Sequence, residues 1–261
     1  MDQALAEIGG LFLVWLATYA ALLALYAIPG IVIERIAARH PERRIQGRPP
    51  SERGRDIRQS VIALSMIALY VGGGLYAQMR GFTLFAIDQT SPVAILVGLA
   101  LSVIAYDAWF YWFHRLMHTK PLYRFHQQHH RAIAPTTWSC NNDSLVGAFF
   151  EQSYFLFAAI LLPIPAVALI AHKAFDQVTG MISHCGYEFF AGPGARRPWP
   201  GLCTTFHDQH HSNFRVNFGN TFSIWDRLMG TMHPAYDEKV RAFERLDEAA
   251  APRRESGGAT R

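Results

Sequence analysis

Three long runs of apolar residues occupy most of the first half of the chain. They cover residues 11–33, 60–79 and 92–113, and Asp107 is the one charged residue within them. Each run is long enough to cross the hydrocarbon core of a membrane, about 30 Å thick, as an α-helix. The first run has no basic segment before it and no cleavage site after it, so it predicts a retained helix rather than a signal peptide. The pattern therefore predicts three membrane helices.

A fourth apolar stretch, residues 145–170, is interrupted by Pro163 and Pro165 and carries Glu151, for which the sequence suggests no partner. Proline removes a helical hydrogen bond and breaks helices, so this stretch predicts a helical hairpin that returns the chain to the side of the membrane from which it entered. We therefore predict an all-α fold: an integral membrane helical bundle with about four membrane segments, one of them a helical hairpin.

Arginine predicts the orientation of this bundle. The connector between the first two runs, residues 34–58, contains eight arginines. Positive loops remain in the cytoplasm, which places the amino terminus outside and the end of the third run inside. The net charge of +4 comes from this connector, which fits anionic lipid headgroups and predicts no nucleic-acid partner. The short loops fit a bacterial inner membrane.

Eight of the twelve histidines lie in three short motifs. The motifs are His114-x-x-x-His118, His126-x-x-His129-His130 and His207-x-x-His210-His211. Positions i, i+3 and i+4 share one face of a helix, so we expect each motif to direct its imidazoles to one point. A zinc site closes at three or four protein ligands, so eight histidines predict two metal ions. Imidazole binds iron, copper, nickel and zinc, so the motifs alone leave the metal open.

Several other residues are candidates for the same site. Asp107 lies two helical turns before His114, and an ionisable group in an apolar helix suggests a hydrogen bond to a histidine. Asp208 either orients a ligand imidazole or starts a helix. Position alone leaves open whether His184 is a ligand and whether His172 lines the site or only packs.

Two other classes of protein compete with a redox enzyme. A metal transporter would carry ionisable residues through the middle of its membrane helices. A zinc-dependent membrane hydrolase would need three ligands, an open position and a base. The histidine motifs lie beyond the ends of the predicted membrane helices, which argues against a transporter. The histidines are also more numerous than one zinc site requires, which argues against a hydrolase. Analysis of the bound metal distinguishes the redox enzyme, the transporter and the hydrolase.

The histidine motifs recur with other segments in a recognisable order. HRLMH at 114–118, HQQHH at 126–130, SHCGYEF at 183–189 and HDQHH at 207–211 precede NFGN at 217–220 and WDRLMGT at 225–231. Together they resemble the fatty acid hydroxylase/sterol desaturase superfamily of membrane di-iron oxygenases. The resemblance implies a cytosolic histidine-rich cap that holds two iron ions, and it makes His184 a ligand. Glu188 stands where the fatty acid 2-hydroxylase branch has a further histidine.

The resemblance thus implies one set of nine metal ligands and catalytic residues. They are His114, His118, His126, His129, His130, His184, His207, His210 and His211. Three carboxylates are candidates to orient these ligands, namely Asp107, Glu188 and Asp208.

The implied reaction is the hydroxylation or desaturation of a sterol, fatty acyl or related lipid with dioxygen. The chain has no His-Pro-Gly-Gly segment of a fused haem domain, so electrons are expected from a separate cytochrome-b-type or ferredoxin-type protein. The expected division is membrane helices and basic connector at 1–91, the catalytic domain at 92–237 and a disordered charged tail at 238–261. The substrate, the choice between the two reactions and the oligomeric state stay open.

Overall fold

The structure, a computed structural model, describes residues 2–250, which contain ten α-helices and no β-strand. In chain order these are α1 (Asp2–Ala38), α2 (Arg53–Met79), α3 (Pro92–Met117), α4 (Tyr123–His130), α5 (Leu145–Gln152), α6 (Tyr154–Leu161), α7 (Ala166–Ser183), α8 (Thr204–Ser212), α9 (Ile224–Met229) and α10 (Tyr236–Ala250). The all-α prediction is confirmed.

Among the described residues, three helices are long and apolar enough to cross a membrane. They are α1, α2 and α3, which contain the three predicted runs and extend beyond them. Local sequence explains where α3 begins, because Pro92 is its first residue and the Ser91 hydroxyl accepts a hydrogen bond from the Ala94 amide. The chain is an integral membrane protein.

The fourth apolar stretch forms three shorter helices. α5 and α6 are eight residues each and meet at Ser153. The chain then turns at Pro163 and Pro165, and α7 begins at Ala166. The break therefore lies where the prolines predict it, between two helices that contact each other. α6 alone is about 12 Å long, too short to cross a bilayer.

The main hydrophobic core lies between α1, α2, α3, α6 and α7. Leu64, Tyr106, Phe155 and Ala168 are among its buried side chains. Helices α2 and α6 approach closely at Gly74, where an added Cβ would lie 2.8 Å from the Cβ of Ala159. Small residues permit such close helix contacts in membrane proteins.

The carboxyl-terminal helix α10 corrects part of the sequence prediction. Residues 238–250 were expected to be disordered, but they belong to this helix. Tyr236 and Val240 are fully buried and pack with Phe206 of α8. One apolar stripe thus docks an otherwise charged segment. Residues 251–261 of the predicted tail lie outside the described residues.

The basic connector packs against the segments that carry the histidine motifs. The amide of Ile45 donates to the carbonyl of Gly186 at 3.0 Å, and the amide of Ser51 donates to the carbonyl of Ala134 at 3.0 Å. The connector and the histidines therefore occupy the same end of the bundle, as the predicted topology requires.

Candidate metal centre

All nine predicted histidines come together at this end of the bundle, in two groups. The first group consists of His114, His118, His126, His130 and His210, and the second of His129, His184, His207 and His211. Within each group the ligand atoms all lie within 4.8 Å of one another. Only His118 is half-buried, and the other eight side chains are buried.

The two groups divide each HxxHH motif, which corrects the expectation that each motif points to one place. In α4, His126 and His130 join the first group while His129 joins the second. In α8 the division is reversed, because His207 and His211 join the second group. Successive residues of a helix differ by about 100° in direction. The i, i+4 pair therefore faces one group, and the residue between them faces the other.

The spacing of the imidazoles suits metal coordination. Neighbouring Nε2 atoms lie 3.1–3.3 Å apart in the first group and 2.9–3.2 Å apart in the second. Imidazole nitrogens bind a metal such as zinc at about 2.1 Å, which places two ligands at right angles about 3.0 Å apart. Each group therefore has the nitrogen spacing of ligands around one ion.

Backbone carbonyls fix the tautomers of several ligand rings. The Nδ1 atom of His114 is 2.9 Å from the Phe218 carbonyl oxygen, and Nδ1 of His184 is 2.7 Å from that of Gly180. A carbonyl can only accept, so each Nδ1 carries the hydrogen and donates it. A neutral imidazole has one N–H, so the Nε2 atoms point into the groups with free lone pairs. That is the donor set a cation requires.

Burial keeps these rings neutral. It lowers the pKa of His126 to about 3 and that of His184 to about 4. It also lowers the pKa values of His129 and His207 well below the usual range, and neighbouring histidines add to the effect. Desolvation disfavours the imidazolium form, so at neutral pH no proton competes with a metal for these nitrogens.

The carboxylate that contacts a ring of the histidine groups is Asp143, which no sequence motif marks. Its Oδ2 atom lies 3.2 Å from Nδ1 of His126, and Glu151 Oε1 lies 3.9 Å from the same nitrogen. A carboxylate on the far nitrogen of a metal-binding imidazole orients the ring and raises its basicity. Asp143 lies in the loop before α5, and no periodicity in the sequence marks it.

Two of the predicted carboxylates hold backbone instead of imidazole. Asp107 accepts hydrogen bonds from the amides of Thr221 and Phe222, at 2.8 and 3.0 Å. Glu188 accepts from the amide of Thr205 at 2.7 Å, in the first turn of α8. Both carboxylates therefore position the segments that carry or flank the histidines, rather than the ligand rings themselves.

The third predicted carboxylate, Asp208, also contacts no ligand ring. Its Oδ1 atom accepts from Nε2 of Gln46 at 2.9 Å and ties α8 to the basic connector. His172 lies in neither histidine group. Its Nδ1 atom lies 2.7 Å from the Ser102 hydroxyl oxygen, with which it forms a hydrogen bond. All three cysteines are free thiols, as predicted, and none belongs to a histidine group.

Two sequence segments that follow α8, residues 217–220 and 225–231, support the ring of His114. The Asp226 carboxylate accepts from the amides of Phe218 and Gly219, at 2.9 and 2.7 Å. The Phe218 carbonyl then accepts from His114. Asp226 therefore fixes the loop whose carbonyl orients a ligand ring.

Comparison with known proteins agrees with this arrangement. The model of the fatty acid hydroxylase family matches residues 99–231, which hold every one of the nine histidines. The chain belongs to the fatty acid hydroxylase family. No solved structure matches it.

Family members that resemble the chain have names that describe several lipid reactions. A methylsterol monooxygenase (erg25A) of Aspergillus fumigatus is 33% identical over 61% of this chain and 56% of its own length. A Delta(7)-sterol 5(6)-desaturase of Leptosphaeria maculans is 26% identical over 70% of this chain and 51% of its own length. A very-long-chain aldehyde decarbonylase (GL1-7) of rice is 27% identical over 68% of this chain and 29% of its own length. The chain thus spans about half the length of the sterol-oxidising relatives.

The histidine groups fit the non-haem iron that this family uses. Both groups consist of neutral nitrogen donors with the spacing of ligands around one ion, and iron accepts imidazole readily.

Proposed function

We propose that this member of the fatty acid hydroxylase family is a membrane-bound oxidoreductase that hydroxylates or desaturates a lipid. It would use dioxygen and electrons from outside the chain. The observation that carries the proposal is the pair of buried histidine groups at one end of an apolar helical bundle. The names of the relatives, a monooxygenase and a desaturase of sterols, support both reaction types.

The proposed cofactor is a pair of iron ions, one in each group. The five histidines of the first group would hold one ion and the four of the second group the other. Two bound irons would supply the redox chemistry needed to break an unactivated C–H bond. The chain contributes nine oriented nitrogens, and the burial of most of them excludes bulk water. In this proposal all nine histidines are metal ligands and therefore catalytic residues.

The remaining parts of the proposal concern partners and place. Electrons would come from a separate cytochrome-b-type or ferredoxin-type protein. The arginines of the connector would keep the histidine end on the cytoplasmic side. We propose a bacterial inner membrane on the short loops, with residues 92–237 as the catalytic domain. The relatives named above come from fungi and a plant.

The two alternatives explain less of the structure. A zinc hydrolase needs one open site with three protein ligands, whereas the chain brings five and four nitrogens together. A transporter needs ionisable groups in mid-membrane, but Asp107 of α3 is tied to the backbone of the cap. Neither alternative accounts for two adjoining histidine groups.

Metal content tests the proposal. The full chain, purified in lipid nanodiscs and loaded with iron under argon, should hold about two irons, and a His129→Ala/His210→Ala variant should lose most of both. His172→Ala is the matched control, because it removes a buried histidine that belongs to neither group. We expect it to keep wild-type iron.

Three results would overturn the di-iron assignment. One is a single tightly bound zinc that excludes iron, which would favour the hydrolase. The second is iron that persists in the double variant, and the third is equal iron loss in His172→Ala. A positive result justifies a search for lipid turnover with a reductase supplied.

A further inference from the structure

An apolar surface lies on α9, in the part of the chain that follows the histidine motifs. Every exposed residue of this helix is apolar, namely Ile224, Leu228 and Met229. The two charged residues of α9 face the protein, because Asp226 is buried and Arg227 donates a hydrogen bond to a carboxylate of α10 at 3.1 Å. An exposed apolar surface of this kind marks a site of interaction.

This surface borders the lipid-facing side of α3. Exposed apolar residues recur along one side of that helix, namely Val97, Leu101, Ile104, Trp112 and Leu116. Because α3 is long and apolar enough to cross the membrane, this side contacts lipid. The ring of Trp112, near the histidine end of α3, lies 6.0 Å from the ring of Trp225 in α9. The apolar surface of α9 therefore continues a surface that faces acyl chains.

The position of Asp107 along α3 shows how deep the neighbouring segment lies. The helix has 26 residues and is about 39 Å long, and Asp107 is ten residues, about 15 Å, from its end at Met117. The hydrocarbon core is about 30 Å thick, so at most about 9 Å of a spanning α3 can extend beyond it at this end. Asp107 therefore lies inside the core.

Contacts on both sides of α9 hold it beside this part of α3. Before the helix, the amides of Thr221 and Phe222 donate to the Asp107 carboxylate at 2.8 and 3.0 Å. After the helix, the hydroxyl of Thr231 lies 3.0 Å from that of Tyr111. Both anchor points belong to the apolar run of α3. The segment that contains α9 thus lies alongside the membrane helix rather than above its end.

The backbone of this segment has the hydrogen bonds that a lipid environment requires. The amide of Ser223 donates to the carbonyl of Pro200 at 2.7 Å, and Phe222 forms a β-bridge with Gly201. Hydrocarbon offers no partner to an unpaired amide or carbonyl, so irregular backbone persists there only when the protein supplies partners. Trp199, which precedes Pro200, is 59% exposed, and tryptophan favours the boundary between lipid and water.

We propose that α9 and the adjoining Trp199 are inserted into the membrane leaflet at the histidine end of the bundle. Ile224, Leu228 and Met229 then contact the acyl chains of phospholipids, and Trp199 lies at the level of the head groups. The inference is independent of the proposed reaction, because it depends only on α3 as a membrane helix and on its contacts. The bilayer therefore holds part of the cap in place, as an interfacial anchor beyond the spanning helices.

A nitroxide on an added cysteine measures this insertion in the full chain, reconstituted in phosphatidylcholine nanodiscs. Oxygen concentrates among acyl chains and a nickel chelate stays in water, so the ratio of their collision rates with the nitroxide rises with depth. For Leu228→Cys this ratio should be at least about tenfold above that for Glu238→Cys on α10. It should be near that for Leu101→Cys, on the lipid-facing side of α3. The unsubstituted chain, with its three free cysteines, gives the background.

A polar substitution provides a second measurement that needs no label. Leu228→Gln places an amide among acyl chains, so it should lower the thermal unfolding midpoint in nanodiscs by at least about 2 °C. Leu246→Gln is the matched control, because this leucine of α10 is 53% exposed and does not border α3. Glutamine and leucine are similar helix formers, so the control should leave the midpoint nearly unchanged.

Three outcomes would overturn the inference. One is a collision ratio for Leu228→Cys equal to that for Glu238→Cys, which would place α9 in water. Another is protection from both reagents together with dipolar broadening, which would mean that a second copy of the chain covers α9. The third is an equal change of midpoint in the two glutamine variants. Ile224→Cys gives the same measurement if Leu228→Cys does not fold, and none of these results affects the di-iron assignment.

Discussion

At the scale of single residues, the orientation of His126 depends on Asp143. The carboxylate lies 3.2 Å from the Nδ1 atom and leaves Nε2 free for the first histidine group. Asp143→Asn should therefore lower the iron affinity of the centre by about 10–100-fold, with the fold retained. A chelator competition titration of the purified chain measures this affinity.

Asp208→Asn is the matched control for that change. Asp208 adjoins His207 in sequence, but its carboxylate faces Gln46, so we expect nearly wild-type iron affinity. The reverse ranking, with Asp208→Asn weak and Asp143→Asn normal, would contradict the assignment of Asp143 as the residue that orients the ring.

The histidine motifs predicted that these rings would come together, but not how they divide between two groups or which carboxylates would support them. His126 and Asp143 are 17 residues apart, and the contact depends on the path of a loop that no periodicity describes. Asp107 does lie on the helix that carries His114, yet it faces the loop at Thr221. The seven-residue spacing between Asp107 and His114 predicted that both lie on the same side of α3. It did not predict which segment packs against Asp107.

At the scale of helices, the contact between α2 and α6 depends on one glycine. A Cβ at Gly74 would lie 2.8 Å from the Ala159 Cβ and 2.9 Å from the Phe155 carbonyl oxygen, and neither atom can move without its helix. Gly74→Ala should therefore destabilise the fold by about 1–3 kcal/mol. The thermal unfolding midpoint in nanodiscs measures the change.

The neighbouring glycine provides the control. At Gly73 an added Cβ meets only Leu156 Cδ1, at an ordinary 3.6 Å. Alanine is the better helix former, so Gly73→Ala should leave the midpoint unchanged or raise it. Equal losses in both variants would mean that the close approach at Gly74 does not limit stability.

Helices were predictable where a long apolar run or a helix breaker marked them. The turn at Pro163 and Pro165 is an example. α10 was missed because its charged composition resembles a disordered tail. A helical signal was nevertheless present, since Tyr236, Val240 and Phe243 recur at intervals of four and three residues and are all buried.

At the scale of the whole molecule, the bundle has a basic end that carries the two histidine groups. The connector that joins α1 to α2 contacts the segments after α4 and α7 through backbone hydrogen bonds at Ser51 and Ile45. The sequence predicted this common end because the chain crosses the membrane twice between the connector and the end of α3. The end of α3 therefore lies on the same side as the connector. The arginines of the connector determine which side of the membrane this end occupies, and this orientation can be measured.

Reporter fusions in a bacterial host test the orientation. Alkaline phosphatase, which is active only outside the cytoplasm, should be active when fused after Asp88, in the loop between α2 and α3, and inactive after Arg48, in the connector. Green fluorescent protein at the same two positions should give the opposite pattern. The physical reason is that translocating the arginine-rich connector is strongly disfavoured. Phosphatase activity after Arg48 would reverse the bundle and place the histidine end outside, where a cytoplasmic electron donor could not reach it.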